Sequence, residues 1–199
     1  ILALSGWKSG EPLLDPMCGS GTFLIEAAMI AFNQVPGLKR SFGFENWKNF
    51  DSALLEKIKS EYQAQIKPLG FSKIYGSDED LRAIRVAKTN LEQAGLKIAV
   101  ELSCQNFNDM KIPSKEGVLI TNPPYGERIG EEEDLAKAYP LWASTMKKKL
   151  SGWRTYFLTS DLRMPKLMRL SPSKKTPLYN GALDCRLFEI KMVAGSNRI

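Results

Sequence analysis

Apolar residues recur along this chain with two alternating periods. Short apolar runs at residues 12–15, 72–77, 98–103, 117–121 and 153–159 read as strands. Between them, apolar positions fall three and four apart. Phe23, Leu24, Ala27, Ala28 and Ala31 mark a helix over 21–32. Leu54, Leu55, Ile58, Tyr62 and Ile66 share one face of a helix over 52–67, which Pro68 and Gly70 end. A helix over 79–94 has Gly95 as its C-cap. A longer helix over 131–150 opens on Glu131, Glu132, Glu133 and Asp134 and closes on Lys147, Lys148 and Lys149, the charge order a helix dipole favours. A short helix over 162–170 follows the fifth strand. The end changes character: residues 176–179 and 183–192 are extended and joined through Asn180-Gly181, a hairpin signal. Such an order predicts an α/β fold, a mostly parallel sheet covered by helices on both faces, with an antiparallel strand at the end. Residues 34–50 are irregular and aromatic-rich. Phe44 and Trp47 are expected to be core residues there.

The 199 residues suit one domain, and no run of 18 apolar residues offers a transmembrane helix. Ile1 to Trp7 reads as the tail of a helix continuing from an upstream domain. No basic signal-peptide region opens it. Cys18, Cys104 and Cys185 lie far apart with no paired spacing, so neither a disulfide framework nor a metal site is expected, and a reducing cytoplasm is the expected location. The chain has no histidine. That removes Ser-His-Asp and Cys-His catalysis, and most zinc chemistry. The net charge of +6 and pI of 9.2 favour an anionic partner such as nucleic acid.

Three strand ends carry candidate chemistry. The first reads Asp15-Pro16-Met17-Cys18-Gly19-Ser20-Gly21-Thr22-Phe23: an acid, a glycine turn, then a helix. Glycines let the backbone approach a ligand, and the helix start offers unpaired N–H groups. Position 24 is Leu24, so the third glycine of a dinucleotide turn is absent. Asp15 would repel a phosphate but could accept a hydrogen bond from an ammonium group. A plain tight turn is the other reading. The second strand ends in Gly76-Ser77-Asp78, where an acid can take two hydrogen bonds from ribose hydroxyls. Its alternative role is a helix cap, the role expected of Glu79 and Asp80. After the third strand, Asn106 is the candidate reader of an adenine amino group with Phe107 flanking the ring, against a plain polar loop.

The fourth strand ends in Thr121-Asn122-Pro123-Pro124-Tyr125-Gly126-Glu127-Arg128, the most specific signal in the chain. Two prolines fix the backbone, and Pro123 holds the turn behind Asn122. The Asn122 amide oxygen and a nearby carbonyl can accept both protons of an exocyclic amine. Tyr125 offers a flat face for a flipped base. An exocyclic amine is a poor nucleophile because its lone pair is delocalised into the ring. Two acceptors turn that lone pair toward an activated methyl donor, so positioning can replace a strong base. That agrees with the lack of histidine.

These motifs resemble the catalytic domain of the THUMP-associated methyltransferases. The group includes bacterial enzymes that methylate guanine N2 in 23S ribosomal RNA and are also described as N6-adenine-specific DNA methylases. The likeness extends to Pro36-Gly37-Leu38-Lys39-Arg40 and Phe44-Glu45-Asn46-Trp47 in an insert at about 34–70, and covers most of residues 10–192. It implies a Rossmann-like, seven-stranded, mostly parallel sheet with a reversed last strand. It implies S-adenosylmethionine contacts around Asp15, Gly19, Gly21, Asp78 and Asn106, with Cys18, Thr22 and Asn122 in the same shell, and amine contacts at Asn122 and Tyr125. An aspartate is expected where Asn106 stands, and an RNA-binding THUMP domain is expected upstream of a single methyltransferase domain over 1–199.

Arg163, Lys166, Arg169, Lys174 and Lys175 form a stretch without an intervening acid, to which Lys147, Lys148 and Lys149 could add. Arg163 and Lys166 are candidate phosphate contacts on a ribosomal RNA, and Arg128 a contact to the target strand. A solvated surface is the other reading of the lysines. Cys18 reads as packing within its loop. Besides guanine-N2 transfer, three other functions stay open: adenine-N6 transfer on DNA or RNA, a non-catalytic RNA-binding module, and transfer to a protein glutamine.

Overall fold

The computed structural model describes residues 1–38, 40–124 and 131–193, with 131 and 132 lacking described side chains. Seven strands form one sheet: β1 (Leu13–Asp15), β2 (Ile74–Asp78), β3 (Val100–Cys104), β4 (Gly117–Thr121), β5 (Trp153–Thr159), β6 (Lys174–Asn180) and β7 (Leu183–Lys191). Their order is β3-β2-β1-β4-β5-β7-β6. The first five run parallel, and β7 is antiparallel to both β5 and β6. This is the mostly parallel sheet with a reversed strand that the alternating pattern predicts.

Helix α1 (Leu2–Ser5) precedes β1, and α2 (Thr22–Phe32), α3 (Ser52–Gln63), α4 (Leu81–Ala94), α5 (Glu131–Lys149) and α6 (Met164–Met168) connect the strands. Two cores result, one on each face. On the first, Leu24, Ala27, Ala28 and Ala31 of α2 and Leu91 of α4 meet Leu13, Ile74, Val118 and Ile120. On the second, Leu135, Tyr139, Trp142 and Met146 of α5 meet Leu14, Leu119, Phe157 and Phe188. Alternate strand residues therefore serve opposite cores, as the pleat requires. β4 lies between β1 and β5 and is buried at all five positions. That explains its continuous apolar run.

Several boundaries move for local reasons. α3 ends at Gln63 rather than 67: Gln65 and Ile66 bond three residues back, and the Lys67 N–H donates to the Phe32 carbonyl at 2.9 Å. β3 starts at Val100 because Lys97–Ala99 forms a 3-10 turn. α6 is shortened by Arg169, which adopts a left-handed φ of 50° at its C-cap. β6 is longer than expected, since all seven of its residues pair with β7.

The expectation for Phe44 and Trp47 is corrected. They are 37% and 68% exposed and belong to neither core. Instead Phe42 stacks on Phe44 at 5.1 Å, and Phe44 contacts Trp47 and Phe50. The aromatics of the insert touch one another rather than the sheet. α3 has no buried residue at all, so its apolar stripe does not mark the sheet's core.

Candidate active site

β1 leads to α2 on one face of the sheet, and its neighbour β4 leads toward α5 on the other. The chain diverges between these strands. A crevice therefore opens beyond their C-terminal ends, where α/β sheets place ligands.

Asp15 is 2% exposed at the end of β1. Its Oδ1 accepts from the Thr121 hydroxyl at 2.8 Å and from the Met17 N–H at 3.2 Å. The carboxyl thus ties the ends of β1 and β4 together. Burial pushes its pKa up to about 7, with Asp78 adding to the rise against the two hydrogen bonds. The glycine turn is braced from below: the Cys18 N–H donates to the Ser77 carbonyl at 2.9 Å, and the Gly21 N–H to the Cys18 carbonyl at 2.8 Å. Gly19 and Gly21 have φ of 52° and 84°. A Cβ at Gly21 would sit 3.2 Å from the Cβ of Ala87 on α4, whereas one at Gly19 would meet nothing within 4 Å. Gly21 is required for helix packing; Gly19 opens toward the crevice. Gly21 is also the N-cap of α2, whose first residue is Thr22. Burial raises the Cys18 thiol well above its usual range, which keeps it un-ionised and agrees with a packing role.

Asp78 ends β2 and does not cap α4; Asp80 does, accepting from the Arg82 N–H at 2.8 Å. The Asp78 Oδ2 accepts from the Gly19 N–H at 3.0 Å, and Oδ1 from the Asp80 N–H at 3.0 Å. One carboxylate thus sets the glycine loop against the neighbouring strand end.

Two cavities occupy the crevice. The larger, about 750 Å³, is lined by Met17, Gly19, Asp78, Glu79, Asn106, Phe107, Asn122 and Pro124, and closed by Asp134, Leu135, Ala138 and Trp142 of α5. The smaller, about 430 Å³, is lined by Asp15, Cys18, Gly19, Ser20, Thr22, Asn122, Leu158, Tyr179 and Asn180. Met17, Gly19 and Asn122 line both. Of the residues singled out from the sequence, Asp15, Cys18, Gly19, Thr22, Asp78, Asn106 and Asn122 therefore converge on adjoining spaces. Pro123 is buried behind Asn122. Tyr125 and Arg128 lie outside the described residues.

Asn106 is the N-cap of a 3-10 turn. Its side-chain oxygen accepts from the N–H and the side-chain amide of Asn108, and its own amide donates to Glu79. Its oxygen is thus already engaged at the cavity edge. Phe107, 3% exposed, packs on Trp142 at 5.3 Å and gives that end an apolar wall.

Arg163 and Lys166 sit elsewhere. With Lys147 and Arg169 they line a cleft of about 940 Å³ between α5 and α6. Arg163 is ion-paired with Asp161 at 2.9 Å. Lys149 instead donates to the Asn108 and Met110 carbonyls, and Lys175 lies over the Phe188 ring. Lys174 and Lys175 are absent from the residues lining this cleft. Among the described residues no cluster of three or more His, Cys, Asp or Glu could hold a metal ion, and no helix is long and apolar enough to cross a membrane.

Sequence reasoning missed Glu79 as a cavity residue, the α5 wall, and Tyr179 with Asn180. The α5 wall had a readable signal in Leu135, Ala138 and Trp142 at helical spacing. The hairpin residues had none, because only the register of β7 brings them to Asn122.

The family described as RMKL-like, methyltransferase domain, matches residues 1–189. All of the chain aligns at 41% identity with the ribosomal RNA large subunit methyltransferases K/L of Shewanella sp. (strain W3-18-1) and Shewanella oneidensis, and covers 29% of their length. The putative methyltransferase SMU.472, solved with SAH, is 37% identical with a TM-score of 0.89 over 96% of this chain and 50% of that one. A possible methylase from Clostridium difficile 630 is 34% identical with a TM-score of 0.90, over 99% and 52% of the two chains. A predicted N6-adenine-specific DNA methylase from Listeria monocytogenes is 31% identical with a TM-score of 0.85, over 96% and 49%. Family match, identity and fold run together along almost the entire sequence, and the chain belongs to the RMKL-like methyltransferase domain family.

Proposed function

We propose that this domain transfers a methyl group from S-adenosylmethionine to the exocyclic N2 amine of a guanine in 23S ribosomal RNA. The observation that carries the reading is the place of Asn122, in the shared wall of two cavities beside Gly19. A donor whose adenosine fills the larger space and whose amino-acid part reaches the Asp15 side of the smaller one meets there an amine entering from the Tyr179 side of the smaller one.

The larger cavity suits this donor. Its described lining holds Asp78, Glu79, Asp80 and Asp134 and no lysine or arginine, which fits a positively charged sulfonium. Its volume lies in the range of small-molecule sites. When bound, S-adenosylmethionine supplies a methyl group already activated by the charge on sulfur. Asp78 takes the ribose hydroxyls, and Phe107 and Leu135 cover the adenine, with Asn106 at its edge. Ser20 and Thr22 of the turn line the space of the amino-acid part, and Asp15 faces its ammonium group. The Asn122 amide oxygen accepts a hydrogen bond from the amine, and Pro123 holds its turn rigid. Tyr125 as a stacking face and Arg128 as a strand contact complete the site on the strength of the sequence. Arg163 and Lys166 contact RNA phosphates. Residues 1–199 act as one domain with an insert at about 34–70, a THUMP-type domain of the same protein supplies RNA recognition, and the work is cytoplasmic.

The identity with ribosomal RNA methyltransferases over all of this chain supports ribosomal RNA as substrate. Adenine N6 is the second reading, favoured by the 31% identical Listeria structure described as an adenine-specific methylase. The test is methyl incorporation into 23S RNA by the full-length protein, followed by nucleoside mass spectrometry. N2-methylguanosine is expected, N6-methyladenosine would establish the second reading on RNA, and no incorporation would overturn the first reading; incorporation into DNA in its place would establish the second.

A further inference from the structure

The smaller cavity has two unlike sides. One is the glycine turn, with Asp15, Ser20 and Thr22; the other is Leu158 at the end of β5 with Tyr179 and Asn180. The register explains the second side. Thr159 of β5 pairs with Arg186 of β7, while Asn180 pairs with Leu183, so the β6–β7 hairpin continues beyond the end of β5. β5 neighbours β4, whose last residue precedes Asn122. The hairpin tip therefore stands at the same end of the sheet as Asn122, although Tyr179 lies 57 positions after Asn122 in the sequence.

Tyr179 is unusual on this hairpin. Leu178 and Leu183 pack against the first core, but Tyr179 is 76% exposed and is one of the residues lining the cavity. A large ring left in water does not stabilise the strand pair much. A ring held by paired backbone beside an amine-accepting residue is well placed to stack on a flat ligand, since every base offers a π-face.

We infer that the β6–β7 hairpin tip forms the acceptor-base wall of the transfer site, with Tyr179 stacking on the base whose amine meets Asn122. This rests on the proposed transfer to a base amine. Tyr179 is a substrate-positioning residue. It takes no proton and forms no bond, so its ring matters and its hydroxyl does not.

The test compares the full-length wild type with Tyr179→Ala and Tyr179→Phe. It measures methyl transfer to 23S RNA and S-adenosylmethionine affinity by calorimetry, with thermal melts to show that the variants fold. Tyr179→Ala is expected to lower kcat/KM for RNA by about tenfold or more, as loss of one base–aromatic stack implies. The dissociation constant for S-adenosylmethionine should stay within about twofold, and Tyr179→Phe should restore transfer. Wild-type RNA kinetics in Tyr179→Ala would overturn the inference, as would a loss confined to S-adenosylmethionine affinity. A wild type that methylates no RNA would remove the functional reading itself, and this inference with it.

Discussion

The crevice at the strand ends and the cleft between α5 and α6 lie on opposite sides of one helix. Leu135, Ala138 and Trp142 of α5 face the first; Pro140, Ala143, Ser144 and Lys147 face the second. Their charges are opposite. The described lining of the crevice carries acids and no lysine or arginine, whereas the described lining of the cleft has Lys147, Arg163, Lys166 and Arg169 and no acid. The net charge of +6 is thus unevenly distributed. A cationic donor and an anionic strand need opposite fields, and a helix between them keeps the two fields apart. A basic pI by itself conceals this separation.

The largest loss is expected at Asn122, in the wall both cavities share. Asn122→Ala should lower kcat by about 100- to 1,000-fold, the scale for losing one pre-organised polar partner of a transition state. S-adenosylmethionine affinity, followed by calorimetry, should change by no more than about threefold. A variant that transfers normally would remove the role given to the shared wall.

Asp78→Ala tests the acidic side. It removes the proposed ribose contacts and leaves the Gly19 N–H without its 3.0 Å acceptor. A loss of about 10- to 100-fold in S-adenosylmethionine affinity is expected, from charge-assisted bonds worth about 1.5–3 kcal/mol. Unchanged affinity would place the ribose elsewhere.

The cationic side is tested by Lys147→Glu combined with Lys166→Glu. RNA affinity should fall by about tenfold, and the slope of log affinity against log salt should shrink by about one to two. Binding of S-adenosylmethionine should be untouched. If RNA binding keeps its salt dependence, the cleft is a solvated surface.

The smallest effect is a pH profile. The folded protein holds the Asp15 proton up to about pH 7, against 3.8 for the ordinary group. Between those values the native state binds more protons than the unfolded one. Stability contributed by Asp15 therefore falls as pH rises through this window and is level above it. A cationic ligand favours the carboxylate, so S-adenosylmethionine affinity should rise a few-fold over the upper part of the same window. Asp15→Asn should flatten both trends in melts and calorimetry between about pH 5 and 8. An unaltered profile in that variant would assign the titration to another group.

Much of this was legible in the residues. Asp15, Asp78 and Asn122 could be named because each ends an apolar run, and a residue at a strand end is placed by the strand. The reversed last strand was legible in Asn180-Gly181. Phe44 and Trp47 were misread because hydrophobicity does not say which surface a side chain meets. Theirs is each other and Phe42, not the sheet. The basic stretch was half legible. Arg163, Lys166 and Arg169 meet at the cleft, while Lys149 and Lys175 turn to carbonyls and a ring.

Element types, the order of strand and helix, and the chemistry offered at each strand end could all be read from the residues. Those depend on local periodicity and on the identity of a few residues. Only the tertiary structure decided that Asn122 divides two cavities, that α5 separates an acidic side from a basic one, and that Tyr179 stands at the same sheet end as Asn122. These depend on strand order and register, which are set by contacts between distant segments. Side-chain periodicity constrains such contacts but does not specify them.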